Sequence, residues 1–497
     1  MPVAARLELA NSASMSSAAA PPKRKPIILL LITCAGAIFD LWNLGGKSLW
    51  LGEGATFTLA RIPWPHFAWI WWHGEANLQT IYFLLMRAWI HLGTGEGWLR
   101  LPSALFAIAS IPLMYIVARK FVPAGAAVGA AALLAFSPTY VHYSQEARSY
   151  TLAVLLVLLS SYFFVRAMEE DRQRDWTLWT VFGILAFYSH DLTALVLVAQ
   201  ALSLFWKAPP VPWRRLMLCG LLIFVAALPG LTYVFRAAPE NLHFIWMPSP
   251  HPRELWHLAM FFGGSGIKVA VALVLWVAGL LAVWRSRHSS VPNAFWRGML
   301  TVLWAAVPVA ILAFISLRHP IFVQRYMIFS LPALVLLASY GANALHRWNL
   351  GVVLVAVLCA MAVPSIVRGY HKPREDWRGA SNAVLRSASP GDAAVFFPFY
   401  TRIMLDYYSS RYPGATPPLH VFAPPFYAEG EDARTLLHSL DRNPHEFRHV
   451  WVLMADHGTK AENFAYGAEV KAKLQSIYGD PAVSRFAEVD VLKYGHD

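Results

Sequence analysis

Residues 48–87 read SLWLGEGATFTLARIPWPHFAWIWWHGEANLQTIYFLLMR, and what this stretch is doing decides the fold. It follows a first apolar run and sets two carboxylates, Glu53 and Glu75, among tryptophans. Tryptophan favours the depth at which lipid headgroups meet water. A carboxylate at that depth is costly unless it is paired, hydrated or used. An acidic, aromatic loop pressed onto a bilayer therefore points to a site that works on a substrate held in the membrane.

Composition agrees. Of 497 residues, 57% are hydrophobic and only 14% are charged, against about one quarter charged in a soluble protein. The apolar residues come in blocks: 27–44, 101–118 and 350–367 each approach the length that crosses roughly 30 Å of hydrocarbon. This is the pattern of a polytopic α-helical membrane protein. The net charge of +12 collects at alternate span ends, a topology signal, so no nucleic-acid partner is expected. Cys34, Cys219 and Cys359 all fall in apolar runs and offer neither a disulfide framework nor metal spacing. With no phosphate-cradling glycine loop either, no cofactor is expected, and a divalent metal has no support in the sequence.

Lys23, Arg24 and Lys25 precede the first apolar run and set the N-terminus in the cytoplasm. Keeping Arg119-Lys120, Arg166 with Arg172 and Arg174, Lys207 with Arg214-Arg215, Arg285 with Arg287 and Arg297, and Arg347 on that same side requires about eleven spans. They run 26–45, 101–118, 123–141, 150–166, 176–190, 192–206, 216–233, 266–284, 298–316, 326–342 and 350–367. Thr80 to Leu92 is expected to lie along the outer surface, the alternative being an ordinary second span. Residues 1–25 read as a disordered cytoplasmic tail, 26–368 as the transmembrane domain with an outer loop at 46–100, and 369–497 as a small α/β domain outside. In that last part short apolar strands at 394–397 and 449–454 alternate with helical patterns at 377–386, 401–409 and 468–478. Acceptor selection is the role expected of it, because it shares the outer side.

This topology gathers polar residues on one outer rim. Glu53 and Glu75 come from the first loop, and Gln145, Glu146 and Arg148 from the join of the third and fourth spans. His190 and Asp191 follow the fifth span, while Arg325 and Tyr326 open the tenth. Asp40 adds a carboxylate near the end of the first span, there to pair with a rim arginine or to approach an acceptor. Arginine binds phosphate through a planar fork of donors. A carboxylate can orient and deprotonate a hydroxyl or amine. The rim thus suits group transfer from an anionic lipid. Plainer roles stay open: Glu146 with Arg148 as a mutual pair or helix cap, His190 with Asp191 as a loop-end pair, and Arg325 with Tyr326 as interface anchors.

The motifs resemble one family. SLWLGEGATFTLAR (48–61), GEANLQTIYFLLMRAW (74–89), GEGWLRLPSALFAI (95–108), SPTYVHYSQEARSYTLAVLL (137–156), FYSHDLTALVLVAQ (187–200), HPIFVQRYMIFSLPAL (319–334) and DWRGASNAVLRSASPGD (376–392) fall in the order seen in GT-C fold glycosyltransferases that use polyprenyl-phosphate sugars. These are grouped in glycosyltransferase family 39 with protein mannosyltransferases and aminoarabinose transferases. The resemblance implies a sugar leaving polyprenyl phosphate with inversion and joining a lipid, glycan or protein acceptor on the outer face of a bacterial cytoplasmic membrane. It also implies a first-loop acid as base, with Tyr82 and the rim residues as substrate contacts. One departure matters: the family's Asp-Glu pair reads Gly52-Glu53 here. That leaves Glu53, Glu75 or Asp40 to take the base's role, or a protein that binds or translocates the lipid without catalysis.

Overall fold

The structure is a computed structural model and describes residues 24–73, 79–207, 210–236, 251, 253–318, 321–346, 349–372, 374–413, 418–425, 430–455 and 466–495. Its first helices are α1 (Arg24–Leu41), α2 (Leu51–Arg61), α3 (Trp64–His73), α4 (Thr80–Trp89), α5 (Glu96–Ala118), α6 (Ala124–Ala135), α7 (Pro138–Ser144) and α8 (Tyr150–Glu170). There follow α9 (Gln173–Ser189), α10 (Ala194–Ser203), α11 (Trp213–Arg236), α12 (Arg253–Gly263), α13 (Ile267–Arg285), α14 (Ala294–Ser316), α15 (Leu331–Ala344) and α16 (Leu350–His371). Each expected span is helical in its place. Among the described residues seven segments are long and apolar enough to cross a membrane. The number rises to eight if α6 and α7, bent by 55°, form one broken span. Ser137 caps the second piece and Pro138 opens it, which accounts for the bend. The other three expected spans are α1 with its three charges, the 17-residue α9, and the short Asp191–Trp206, so length and composition do not reach eleven.

Side-chain size sets the packing. A Cβ on Gly279 would lie 2.1 Å from the Leu337 carbonyl oxygen, and one on Gly341 would lie 2.0 Å from that of Leu275. Only glycine lets α13 and α15 touch backbone to backbone, as small residues do between membrane helices. Leu31, Met217, Phe314 and Val352 stay exposed on helix faces, an apolar surface suited to lipid. The described part of the loop at residues 46–100 holds three short helices. At ten residues α4 has about half of the ~20 a crossing needs, so it does not span.

After α16 come α17 (Trp377–Ser387), β1 (Ala393–Phe397), α18 (Arg402–Ser409), β2 (His420–Phe422), α19 (Ala433–Arg442), β3 (Val450–Ala455), α20 (Gly467–Tyr478), β4 (Ala482–Phe486) and β5 (Val489–Tyr494). The sheet order is β2-β1-β3-β5-β4, parallel across β2, β1 and β3 and antiparallel from β3 onward. Every residue of β1 is buried, as in a strand covered on both faces. This domain grips the outer loop. Tyr408 Oη accepts from Leu49 N (2.9 Å) and donates to Glu96 Oε1 (2.6 Å). Glu375 accepts from Leu51 N at 3.1 Å, and Arg378 pairs with Glu96.

Candidate active site

The start of α2 is built around a buried ion pair. Glu53 is fully buried, and Arg100 of α5 donates to both its oxygens at 2.7 Å. The remaining Arg100 donors reach the carbonyls of Leu44, Lys47 and Ser48. Glu53 also accepts from the backbone of Ala147 (2.8 Å) and Trp50 (3.3 Å). Both of its oxygens are engaged, which makes Glu53 a tie between the first loop and the α7–α8 turn. The conformation leaves it no free lone pair aimed at an acceptor. The neighbouring Gly52 has a steric reason. A Cβ there would fall 2.5 Å from the Trp50 indole, so the ring covers the place a side chain would take.

Glu146, in the α7–α8 turn, is a different kind of carboxylate. It is 3% exposed. Arg374 donates to Oε1 at 2.5 Å and His142 Nε2 lies 3.3 Å from the same atom. Its Oε2 is buried with no hydrogen-bond partner among the described residues. Burial alone would raise this carboxyl; Arg374, followed by His142, outweighs it and holds the group down at about 2. Arg148 donates to the Gly52 carbonyl at 3.0 Å, and its Nε is also buried without a hydrogen-bond partner among the described residues. Trp50 Nε1 and Ser149 Oγ share that condition. Buried polar groups are normally satisfied, and unsatisfied ones at the start of α2 and in the α7–α8 turn mark a place where a polar ligand belongs.

Aromatic rings wall the other side. Tyr143 and Tyr150 meet edge to face at 4.9 Å, His190 packs on Tyr326 at 5.6 Å, and the Arg325 guanidinium lies 5.6 Å from the Trp50 ring. His190 Nδ1 is 3.3 Å from Asp191 Oδ1. Such faces suit a sugar ring, and fixed guanidinium groups suit a phosphate.

The structure brings Glu53, Glu146, Arg148, His190, Arg325 and Tyr326 into one region, with Asp191 beside His190. Three other expected residues serve the scaffold. Asp40 accepts from Ser144 Oγ at 2.6 Å and meets no rim arginine. Tyr82 Oη is bound to Ser103 Oγ at 2.8 Å, behind the site. Gln145 donates to the Phe39 and Trp42 carbonyls and closes the end of α1. The end of α1 has open carbonyls, and the Gln145 amide satisfies two of them. Glu75 lies outside the described residues. Arg100, Arg374, His142 and Lys47 go unread in the sequence. Arg100 breaks the run Leu99–Leu101, and that buried charge at a span's edge is the signal that marks it. Among the described residues no three His, Cys, Asp or Glu side chains gather to hold a metal ion.

The architecture is that of known proteins. ArnT from Cupriavidus metallidurans, solved bound to undecaprenyl phosphate, matches with a TM-score of 0.57 at 15% identity, over 93% of this chain and 97% of that one. Its apo form gives 0.61 at 16% identity over the same shares. The oligosaccharyltransferase AglB from Archaeoglobus fulgidus, in complex with an inhibitory peptide and a dolichol-phosphate, gives 0.53 at 11%, covering 93% of this chain and 73% of that one. The fold is GT-C. Residues 80–233 also match the sequence profile of the dolichyl-phosphate-mannose-protein mannosyltransferases. No curated protein sequence matches the chain.

Proposed function

We propose that the protein is a membrane glycosyltransferase that moves a sugar from a polyprenyl-phosphate donor to a lipid, glycan or protein acceptor, on the outer side of a bacterial cytoplasmic membrane. The fold and the family profile support the class. The buried, half-satisfied carboxylate of Glu146 among guanidinium groups is the observation that carries the reaction.

In this reading the acceptor hydroxyl or amine attacks the anomeric carbon from the face opposite the phosphate. The new bond forms as the carbon–oxygen bond to phosphate breaks, and the configuration inverts. The phosphate leaves with the electron pair, and Arg148 and Arg325 take up the growing charge. Glu146 Oε2 holds the attacking group and receives its proton late, as the nucleophile becomes acidic. His190 packs the sugar against Tyr326. Glu53 positions the loop.

The test is a panel of polyprenyl-phosphate sugars given to purified protein in lipid nanodiscs with a membrane extract, read by mass spectrometry. Release of free polyprenyl phosphate matched by sugar capture supports transfer. Donor crossing vesicle membranes without any release would instead favour a translocator.

A further inference from the structure

Glu146 is 3% exposed, so a proton that it takes up has no direct way out to water. His142 stands between that carboxylate and solvent. Its Nε2 lies 3.3 Å from Glu146 Oε1, its ring meets Tyr143 edge to face at 4.9 Å, and 42% of the side chain is exposed. With Lys47, Gln145, Tyr370 and Arg374 it lines a cleft of roughly 530 Å³, including space open to solvent. Glu146 is buried behind that lining.

Arg374 fixes the tautomer of this histidine. Its Nη2 reaches Glu146 Oε1 at 2.5 Å, His142 Nε2 at 2.8 Å and, less closely, His142 Nδ1 at 3.4 Å. A guanidinium keeps its protons and only donates. The nearer nitrogen, Nε2, is therefore the acceptor, and the neutral ring carries its proton on Nδ1. Glu146 Oε1 and His142 Nε2 are then two acceptors held side by side by one donor, with room between them for one proton. Basicity gives the direction of travel. Glu146 is held at about 2, and an imidazole is the stronger base by several orders of magnitude. Arg374 opposes a charge on the ring, and the Glu146 carboxylate, charged again once its proton has left, offsets that opposition.

Resting on the glycosyltransferase reading, we infer that His142 is the proton outlet of the reaction: it takes the acceptor's proton from Glu146 and hands it to water in the cleft. The acceptor's O–H or N–H bond breaks as a bond from that proton to Glu146 Oε2 forms. Neutralising the carboxyl loosens its pairing with Arg374, and the group turns about Cγ–Cδ to present the proton to Nε2. The carboxyl O–H bond then breaks, the Nε2–H bond forms, and Glu146 regains its charge. The imidazolium sheds its Nδ1 proton to water, and exchange with water returns the ring to its starting tautomer. One proton passes from acceptor to solvent for each sugar moved. His142 touches no substrate and acts through Glu146.

Two measurements test this. Nitrogen NMR of histidine-labelled protein in nanodiscs, without substrate, compares wild type with His142→Gln, whose missing signals identify the ring. A protonated Nδ1 and a bare Nε2 are expected. A neutral ring protonated on Nε2 overturns the proposal, since it would donate to Glu146 and could not accept. Steady-state transfer is then followed with the panel of polyprenyl-phosphate sugars and the membrane extract. His142→Ala should lower kcat at least about fivefold with KM within about twofold, and added imidazole should restore most of the loss through the space the ring leaves. His142→Gln keeps a neutral acceptor for Arg374 but carries no proton, so it should be as slow as His142→Ala. Wild-type turnover by His142→Gln would make the residue structural and overturn the relay, as would a loss in His142→Ala that imidazole leaves untouched. The NMR needs no turnover, so an absence of transfer with every donor would count against the glycosyltransferase reading alone.

Discussion

Glu53 and Glu146 are both buried carboxylates facing arginine, yet their oxygens have different work. Those of Glu53 are fully taken by Arg100 and two backbone amides, while Glu146 keeps one oxygen unpartnered among the described residues. Glu53→Gln is therefore expected to act on folding. It leaves Arg100 buried without its counter-charge, a loss of about 3–5 kcal/mol that a thermal melt in detergent would register. Glu146→Gln gives up the ion pair with Arg374, so it should melt below wild type, and the folded protein should lose at least about 100-fold in transfer, the lower range for a positioned proton acceptor. The Glu146 carboxyl, held at about 2 against an ordinary 4.5, favours the folded state above 4.5, and that contribution is lost as the pH falls toward 2. Arg374→Met removes the largest opposing influence, so burial raises the carboxyl. The acid limb of kcat/KM should then move to higher pH, and a profile unchanged from wild type would refute this coupling. Glu53 stands out in the sequence as an acid in apolar surroundings. Its partner does not, because Arg100 lies 47 residues away and reads as an ordinary span-end charge.

At the scale of elements, the start of α2 gives the unusual Gly52 its reason. Glycine is needed there to seat the Trp50 indole, since any Cβ meets the ring. Gly52→Asp should cost about 1–3 kcal/mol, as overpacking does. Adding Trp50→Ala should recover most of that loss in a double-mutant cycle; additive losses would mean that the ring is not the obstacle. The long apolar helices are legible in the sequence because an uncharged run near crossing length is stable chiefly in hydrocarbon, where a helix satisfies its own backbone. Helices α2 and α3 are not, since Gly52, Gly54, Pro63 and Pro65 break their periodicity, and the carboxyl-terminal domain supplies part of the packing of α2. Strands β2 and β4 escape for a similar reason. One is three residues long and the other is largely exposed, so neither shows a buried-face pattern.

For the whole molecule, the carboxyl-terminal domain acts as a clamp on the loop at residues 46–100. Glu375, Arg378 and Tyr408 hold Leu51, Glu96 and Leu49, so removing residues 370–497 should reduce donor binding and transfer alike. Tyr408→Phe, which deletes one shared hydroxyl, should lower stability by about 1–3 kcal/mol and leave acceptor preference unchanged. Loss of acceptor discrimination with donor binding intact would restore a selecting role to this domain. The central claim is that sugar transfer runs through Glu146, and single-turnover kinetics test it most directly. Wild type and Glu146→Gln would be loaded with the same polyprenyl-phosphate sugar in nanodiscs, donor affinity measured first, then mixed with acceptor. Donor affinities within about twofold and a transfer step at least about 100-fold slower in the variant are expected. Equal transfer rates at equal donor occupancy would contradict the claim.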